Sequence, residues 1–433
     1  MDIINLIGFA FKSYANGVVG FLLDPIAWIF LFIIIGQYRK FVALQQNIYG
    51  GLTKQSTKEL VTTSVLFGII SGLIGTIITT TFGVTFYKAN GLSYLILLSL
   101  LLMLISPRYV CLSYSGGILS LFVLILSAFL SSSRVYSSFL YNLYNALEFD
   151  VPALMAIIAV MHFMESVLMW LDGGRGAVPV FMKQGEEIVG AFIMQRFWII
   201  PIILYFFVSK NYDMSGVVTT PEWWPLIKSP QLGDFAKDAV FMATPLIAML
   251  GYSDFAVTTI TQKKVKRSAI GLSIFSITLL VLSFLATKFY VFNYVAALFA
   301  PLAHEGLILY ERYKEKHGIP LYKKRDDGII VLDTMPNSPA ESMGLKPGDV
   351  IMSINNKEVR EITDVDEIFN EYPSFLWVEI KDIEGEKKVL EFRDYKNTIK
   401  DLGVITIPDN ILGVPYVEEK NISVFDRIKR KFK

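Results

Sequence analysis

The residues best placed to do chemistry in this chain are ionisable groups set inside apolar runs. His162 and Glu165 stand three apart, on one face of a helix, within the run 151–171. His304 and Glu305 sit together within 289–310. Asp172 follows the first run in Leu-Asp-Gly-Gly-Arg-Gly, and Asp254 closes another in Gly-Tyr-Ser-Asp. An ionisable group at bilayer depth is costly and is by default a functional candidate. The sharpest chemistry on offer is zinc-dependent proteolysis within the membrane. That chemistry needs His-Glu-x-x-His, two imidazoles one helical turn apart beside a glutamate base. Position 308 is Ile308, so the second imidazole is missing, and neither a catalytic residue, a resident metal nor a cofactor is expected. A ligand set of His162, Glu165 and His304 is conceivable, but nothing in the sequence makes the three meet. Two milder uses remain: hydrogen bonds that tie helices together, and an ion or proton path along the buried carboxylates. The single cysteine, Cys111, rules out an internal disulfide and is expected to pack at a span end. There is no phosphate-cradling glycine loop, no Ser/His/Asp arrangement and no nucleic-acid-binding patch.

The elements that must position these groups are membrane spans. Of the 433 residues 53% are hydrophobic and only 18% charged, and the excess is confined to residues 1–311. A spanning helix takes roughly 20 mainly apolar residues. About nine candidates fit, near 24–38, 61–86, 91–106, 109–130, 151–171, 193–209, 237–254, 268–287 and 289–310. Residues 2–22 are amphipathic and read as a surface helix or a tenth span; they lack the basic start of a cleavable signal, so the first span is expected to stay. Basic residues gather in alternate loops: Arg39, Lys40, Lys54 and Lys58; Arg108; Arg175, Lys183 and Arg196; Lys263, Lys264, Lys266 and Arg267; then Arg312, Lys314 and Lys316 after the last run. The positive-inside bias makes those loops cytoplasmic, and with them everything after residue 311. Trp223, Trp224 and Pro225 on the opposite side suggest an interfacial anchor.

Residues 312–400 read as a soluble α+β module. Ser338-Pro339 opens a short helix and Gly344 closes it, Gly348-Asp349 makes a tight turn, and Val350, Ile351 and Ile354 resume a strand. Residues 364–372 form a helix with Val365, Ile368 and Phe369 on one face, followed by two strands joined across Glu384-Gly385. This order, with its Ser-Pro-Ala…Gly-Leu…Gly-Asp-Val-Ile core, resembles bacterial PDZ domains over about 318–395. Such modules capture an extended peptide on a sheet edge. The resemblance places a carboxylate-binding loop at Gly318, Ile319, Pro320 and Leu321, with Val365, Ile368 and Phe369 on the opposite wall. Those three equally suit a core role, and Pro320 removes one of the loop's N–H donors. The tail, 401–433, ends in Arg427, Lys429, Arg430, Lys431 and Lys433 interleaved with Phe425, Ile428 and Phe432, a pattern suited to an anionic lipid surface.

The whole layout resembles the MinJ-type division-site topology proteins of Gram-positive bacteria. The likeness is carried by Asp24-Pro25 with Gln37-Tyr38-Arg39-Lys40, by His162-x-x-Glu165 with Leu171-Asp172-Gly173, by Gly251-Tyr252-Ser253-Asp254, and by the PDZ core and basic tail. The resemblance implies a non-enzymatic adaptor in the cell membrane that bridges a DivIVA-like polar scaffold to a MinD-like division-inhibitor ATPase. The expected fold is a polytopic α-helical bundle with a carboxy-terminal PDZ domain. Its partners would be proteins and the bilayer, with a homo-oligomer open and no nucleic acid. An intramembrane protease and a transporter subunit are the rival readings.

Overall fold

The computed structural model describes residues 2–132, 138–208, 220–229, 240–371, 373–395, 397–408 and 416–417. Local chemistry sets the helix starts. Asp24 separates α1 (Asp2–Leu23) from α2 (Pro25–Ile48): its side chain accepts from the Ile26 N–H at 2.8 Å, with Pro25 in the first turn. Ser56 caps α3 (Thr57–Phe82) in the same way through the Glu59 N–H. The other helices of the body are α4 (Leu92–Ile105), α5 (Leu112–Ser132), α6 (Ser138–Leu147), α7 (Val151–Asp172), α8 (Thr261–Lys288) and α9 (Val291–His317).

Among the described residues six helices (α2, α3, α5, α7, α8 and α9) are long and apolar enough to cross a membrane. The expected count of nine therefore needs correcting. Run 91–106 is the 14-residue α4, about 21 Å long against a hydrocarbon core of about 30 Å. Gly91 bonds Glu148 beside the start of α7, whereas Cys111, after a 3₁₀ turn at Pro107–Val110, meets His162 halfway along it. Helices α4 and α5 thus form a re-entrant excursion. Runs 193–209 and 237–254 are strands of one long hairpin. The body's sheet has β1 (Thr85–Phe86), β2 (Val178–Gln184), β3 (Glu187–Val208) and β4 (Val240–Ala256). Strands β3 and β4 pair antiparallel from Phe192↔Ala256 to Val208↔Val240. Strand β3 is buried along most of its length and β4 is largely half-buried, with Met242 and Leu246 exposed; both runs are apolar, so hydropathy does not tell them from helices.

The hairpin lies directly against α3. Ser64, Gly68, Gly72, Thr76 and Thr80 recur every four residues, all buried. A Cβ at Gly68 or Gly72 would collide with the carbonyl oxygen of Ile199 or Pro201. Between its short pairings with β2 and β1, this edge of β3 has side chains as hydrogen-bond partners. Tyr38 Oη accepts from Phe197 N–H at 3.0 Å, and Thr76 Oγ1 from Ile203 N–H at 3.2 Å. That is how an open strand edge is tolerated away from water. The amphipathic 2–22 is α1, resting on this layer with the Tyr14 hydroxyl donating to Ile69 O.

The carboxy-terminal module contains β5 (Ile329–Ile330), β6 (Asp333–Thr334), α10 (Pro339–Met343), β7 (Val350–Ile354), β8 (Lys357–Glu358), α11 (Ile362–Phe369), β9 (Phe375–Lys381), β10 (Lys387–Arg393) and β11 (Val404–Ile405). Its sheet runs β10-β9-β7-β5, with β8 also on β7, while β6 pairs with β11. Ile399 and Leu402 are buried in the same core, so the module continues past residue 400. Finally β12 (Tyr416–Val417) adds parallel to β2 of the body. The basic tail residues lie outside the described residues.

Candidate functional site

The module is built by local signals. Ser338 Oγ accepts from the Glu341 N–H at 3.2 Å to start α10, and Gly344 ends it with φ 84°. Asp349 clamps the following turn: its carboxylate takes the Lys346 N–H at 2.9 Å and its carbonyl takes the Val331 N–H at 2.8 Å. Burial pushes the Asp349 carboxyl above the usual range, opposed by the Lys346 amide. Gly348 donates to the Val331 carbonyl from the same turn. Val365, Ile368 and Phe369 of α11 are buried with Val331, Ile351 and Leu376 in the module's core. Their side chains are taken up by packing and do not form an open groove wall.

The loop expected to cradle a carboxylate is occupied differently. Gly318 N–H bonds Lys314 O at 3.0 Å as the end of α9, Pro320 has none, and Leu321 N–H bonds Val257 O at 2.9 Å. Of four residues only Ile319, 80% exposed, keeps an N–H outside these bonds. Capture of a terminal carboxylate is not what this geometry offers. The loop serves as a weld between α9, the end of β4 and the module.

That weld continues across the seam. Ile329 and Val331 point into the module's core, while the alternate residues Ile330 and Leu332 join the core of the membrane body. The Tyr322 carbonyl accepts from Gly190 of β3 at 2.7 Å, and a Cβ on Gly190 would press on Leu332 at 2.6 Å and Ile407 at 2.8 Å. Asp333 receives the Tyr49 hydroxyl and the Lys54 ammonium, both at 2.6 Å. Burial, with Asp333 beside it, pushes the Tyr49 phenol up, so it stays a donor.

The ionisable residues of the runs fall into three groups. Asp172, buried where α7 ends, holds Arg175 Nε at 2.7 Å, Arg196 Nε at 2.7 Å and Trp198 Nε1 at 3.0 Å. Arg196 is fully buried and also reaches Thr63, with Tyr38 against its guanidinium. Asp254 pairs with the fully buried Lys264 at 3.0 Å, and Glu311 and Glu315 bind Lys264 and Arg267 beside it. Glu315 also caps the Val257 and Thr258 N–H groups, so this network locks the exit of α9. The third group brings His162 and His304 together with Cys111. His162 Nε2 is 3.0 Å and His304 Nε2 3.9 Å from the Cys111 sulfur, while Glu305 binds Arg108 at 2.8 Å and the Tyr114 hydroxyl at 2.6 Å. Cys111 was missed as a member because 51 and 193 residues separate it from its neighbours. Trp224, read as an interfacial anchor, is buried and donates to Thr80 O at 2.8 Å.

A PDZ domain family model matches residues 330–371. The cell division topological determinant MinJ of Bacillus subtilis (strain 168) is 22% identical over 260 residues, 60% of this chain and 62% of its own length. A probable cell division topological determinant MinJ of Lacticaseibacillus paracasei is 25% identical over 84 residues, 19% of this chain and 23% of its own. The periplasmic serine endoprotease DegP of Salmonella typhimurium is 39% identical over 59 residues, 14% of this chain and 12% of its own, and so short a likeness says nothing of catalysis. The chain thus spans less than two thirds of the length of each of these relatives. Together with the apolar helices and the observed module, the matches make the chain similar to MinJ-type membrane proteins and show that it carries a PDZ domain.

Proposed function

We propose that the protein is a membrane-anchored adaptor in cell-division topology, presenting its PDZ module to protein partners at a division site or pole. The observation that carries this reading is the welded seam. A segment, 329–332, shared by two cores, with Asp333 tied to Tyr49 and Lys54, fixes the module's orientation to the bilayer. An adaptor gains from such fixing, because a tethered and pre-oriented surface raises the effective concentration of its partner without new contacts. The partners proposed are a DivIVA-like scaffold and a MinD-like ATPase, by likeness to the MinJ relatives.

The module is proposed to be cytoplasmic. In support, the ends of α2, α7 and α9 and the starts of α3 and α8, with their Lys and Arg residues, lie at the module's end of the body. The Gln45 side chain bonds Gly176 O there, and Lys264 and Arg267 bind Glu311. Two strands that traverse the body keep the same parity as two spans, so the alternation of basic loops survives the change in element type except at Arg108, which the re-entrant turn keeps inside the body. The test is in-cell crosslinking and imaging of a fluorescent fusion, wild type against Ile319→Glu, a change at an exposed side chain. Localised fluorescence with crosslinked protein partners, some lost in the variant, is the expected result. A signal spread evenly over the envelope with no crosslinked partner would remove the adaptor reading, and protease reaching the Asp349 turn from outside intact cells would remove the orientation.

A further inference from the structure

The sequence contains three histidines and one cysteine. Two of the histidines and the cysteine converge inside the membrane body, their ligand atoms within 4.8 Å of one another. They come from separate elements: Cys111 from the re-entrant turn before α5, His162 from the middle of α7, His304 from the middle of α9. We propose that Cys111, His162 and His304 bind a single Zn²⁺ ion that staples the re-entrant turn to the two long helices.

Hydrogen bonding fixes which nitrogens are free to ligate. His162 Nδ1 lies 2.8 Å from the Ile158 carbonyl, which can only accept, so Nδ1 carries the hydrogen and Nε2 has a lone pair. His304 Nδ1 lies 3.3 Å from the Tyr114 hydroxyl, whose own hydrogen goes to the Glu305 carboxylate at 2.6 Å. The Tyr114 oxygen therefore accepts from Nδ1–H, and His304 Nε2 also has a lone pair. Both lone pairs are on the nitrogens nearest the Cys111 sulfur; with Ser113 Oγ donating to His162 Nε2 at 3.1 Å, the S–H hydrogen is left for His304 Nε2 across a long 3.9 Å contact. A metal ion satisfies all three donors.

The surrounding groups are those that hold ligating histidines elsewhere: a backbone carbonyl on one ring, and on the other a tyrosine backed by a carboxylate. Arg108 completes that outer chain at 2.8 Å from Glu305. Zn–S and Zn–N bonds of about 2.3 and 2.1 Å put tetrahedral ligand atoms roughly 3.4–3.7 Å apart. The observed sulfur–nitrogen distances of 3.0 and 3.9 Å bracket that range and the three ligand atoms lie within 4.8 Å of one another, so closure takes side-chain movement of roughly an ångström. Thiolate with two imidazoles selects a borderline metal over magnesium or calcium. The fourth position is left to water or another exogenous ligand.

Full-length protein purified in mild detergent, stripped with chelator and reloaded with Zn²⁺, should retain a single equivalent by elemental analysis. Cobalt(II) loading should give the thiolate charge-transfer band of a tetrahedral site. Cys111→Ser, His162→Ala and His304→Ala should each lose the metal, whereas His317→Ala, at the exposed third histidine, should keep it. Because the variants could misfold, alkylation of the wild type gives an independent reading. Cys111 is the only thiol, and zinc should slow its modification about tenfold or more, since a bound thiolate is a poor nucleophile. Zinc retention equal in Cys111→Ser, or alkylation indifferent to zinc, would overturn the site.

Discussion

Helix α11 of the module and helix α3 of the body are opposites. In α11 the buried side chains are Val365, Ile368 and Phe369 and the outer face is polar apart from Ile362 in the first turn, which is how a helix stabilises itself against a core in water. In α3 the buried set is Ser64, Gly68, Gly72, Thr76 and Thr80, while the exposed residues include Leu66, Ile70 and Ile74. Hydrocarbon outside is as apolar as leucine, so nothing is gained by turning large side chains inward; close backbone approach and hydrogen bonds hold the layer together instead. The two parts of one chain are therefore stabilised by different terms, and substitutions should sort accordingly.

The contrast breaks most severely at the buried ions. Asp172→Ala strips Arg196, Arg175 and Trp198 of their shared acceptor; leaving Arg196 buried and uncompensated should cost about 3–5 kcal/mol. The readout is loss of monodisperse protein in detergent, and a variant as stable as wild type would show that water reaches the site. Next comes the small-residue face. Gly68→Leu drives a side chain into the Ile199 carbonyl and should cost about 3 kcal/mol, against under about 0.5 kcal/mol for Ile70→Leu on the lipid-facing side. Equal thermal shifts for the pair would erase the distinction drawn here.

The seam between the regions should respond at an intermediate level. Asp333→Asn weakens the bonds from Tyr49 and Lys54 and should cost about 2 kcal/mol, the scale of hydrogen bonds to a charged group. Limited proteolysis should then release the module while the body stays intact; co-unfolding of both parts would mean that they form one cooperative unit. At the bottom of the scale, Lys357→Ala removes an exposed pair with Glu371, and its effect on the module's melting should stay under about 0.5 kcal/mol.

How much of this was legible depended on whether the signal was local. The Ser338-Pro339 start, the Gly344 stop and the hairpin across Gly385 each act within a few residues, and each stands where the sequence places it. The long apolar helices α2, α3, α5, α7, α8 and α9 were legible for the same reason, as unbroken apolar stretches. Runs 193–209 and 237–254 were not, because each is as apolar as a spanning helix and hydropathy alone does not separate the two. The four-residue recurrence from Ser64 to Thr80 was also present, as the mark of a face pressed against another backbone.

The sequence by itself determined that a PDZ-type module follows a membrane body, because capping, turn chemistry and hydropathy are short-range properties. Only the tertiary structure decided that two N–H groups of loop 318–321 are already bonded, that Asp333 ties the module down, and that Cys111 faces two histidines. Those outcomes depend on which distant backbone groups meet, and side-chain spacing along a chain holds no information about partners 51 to 284 residues away.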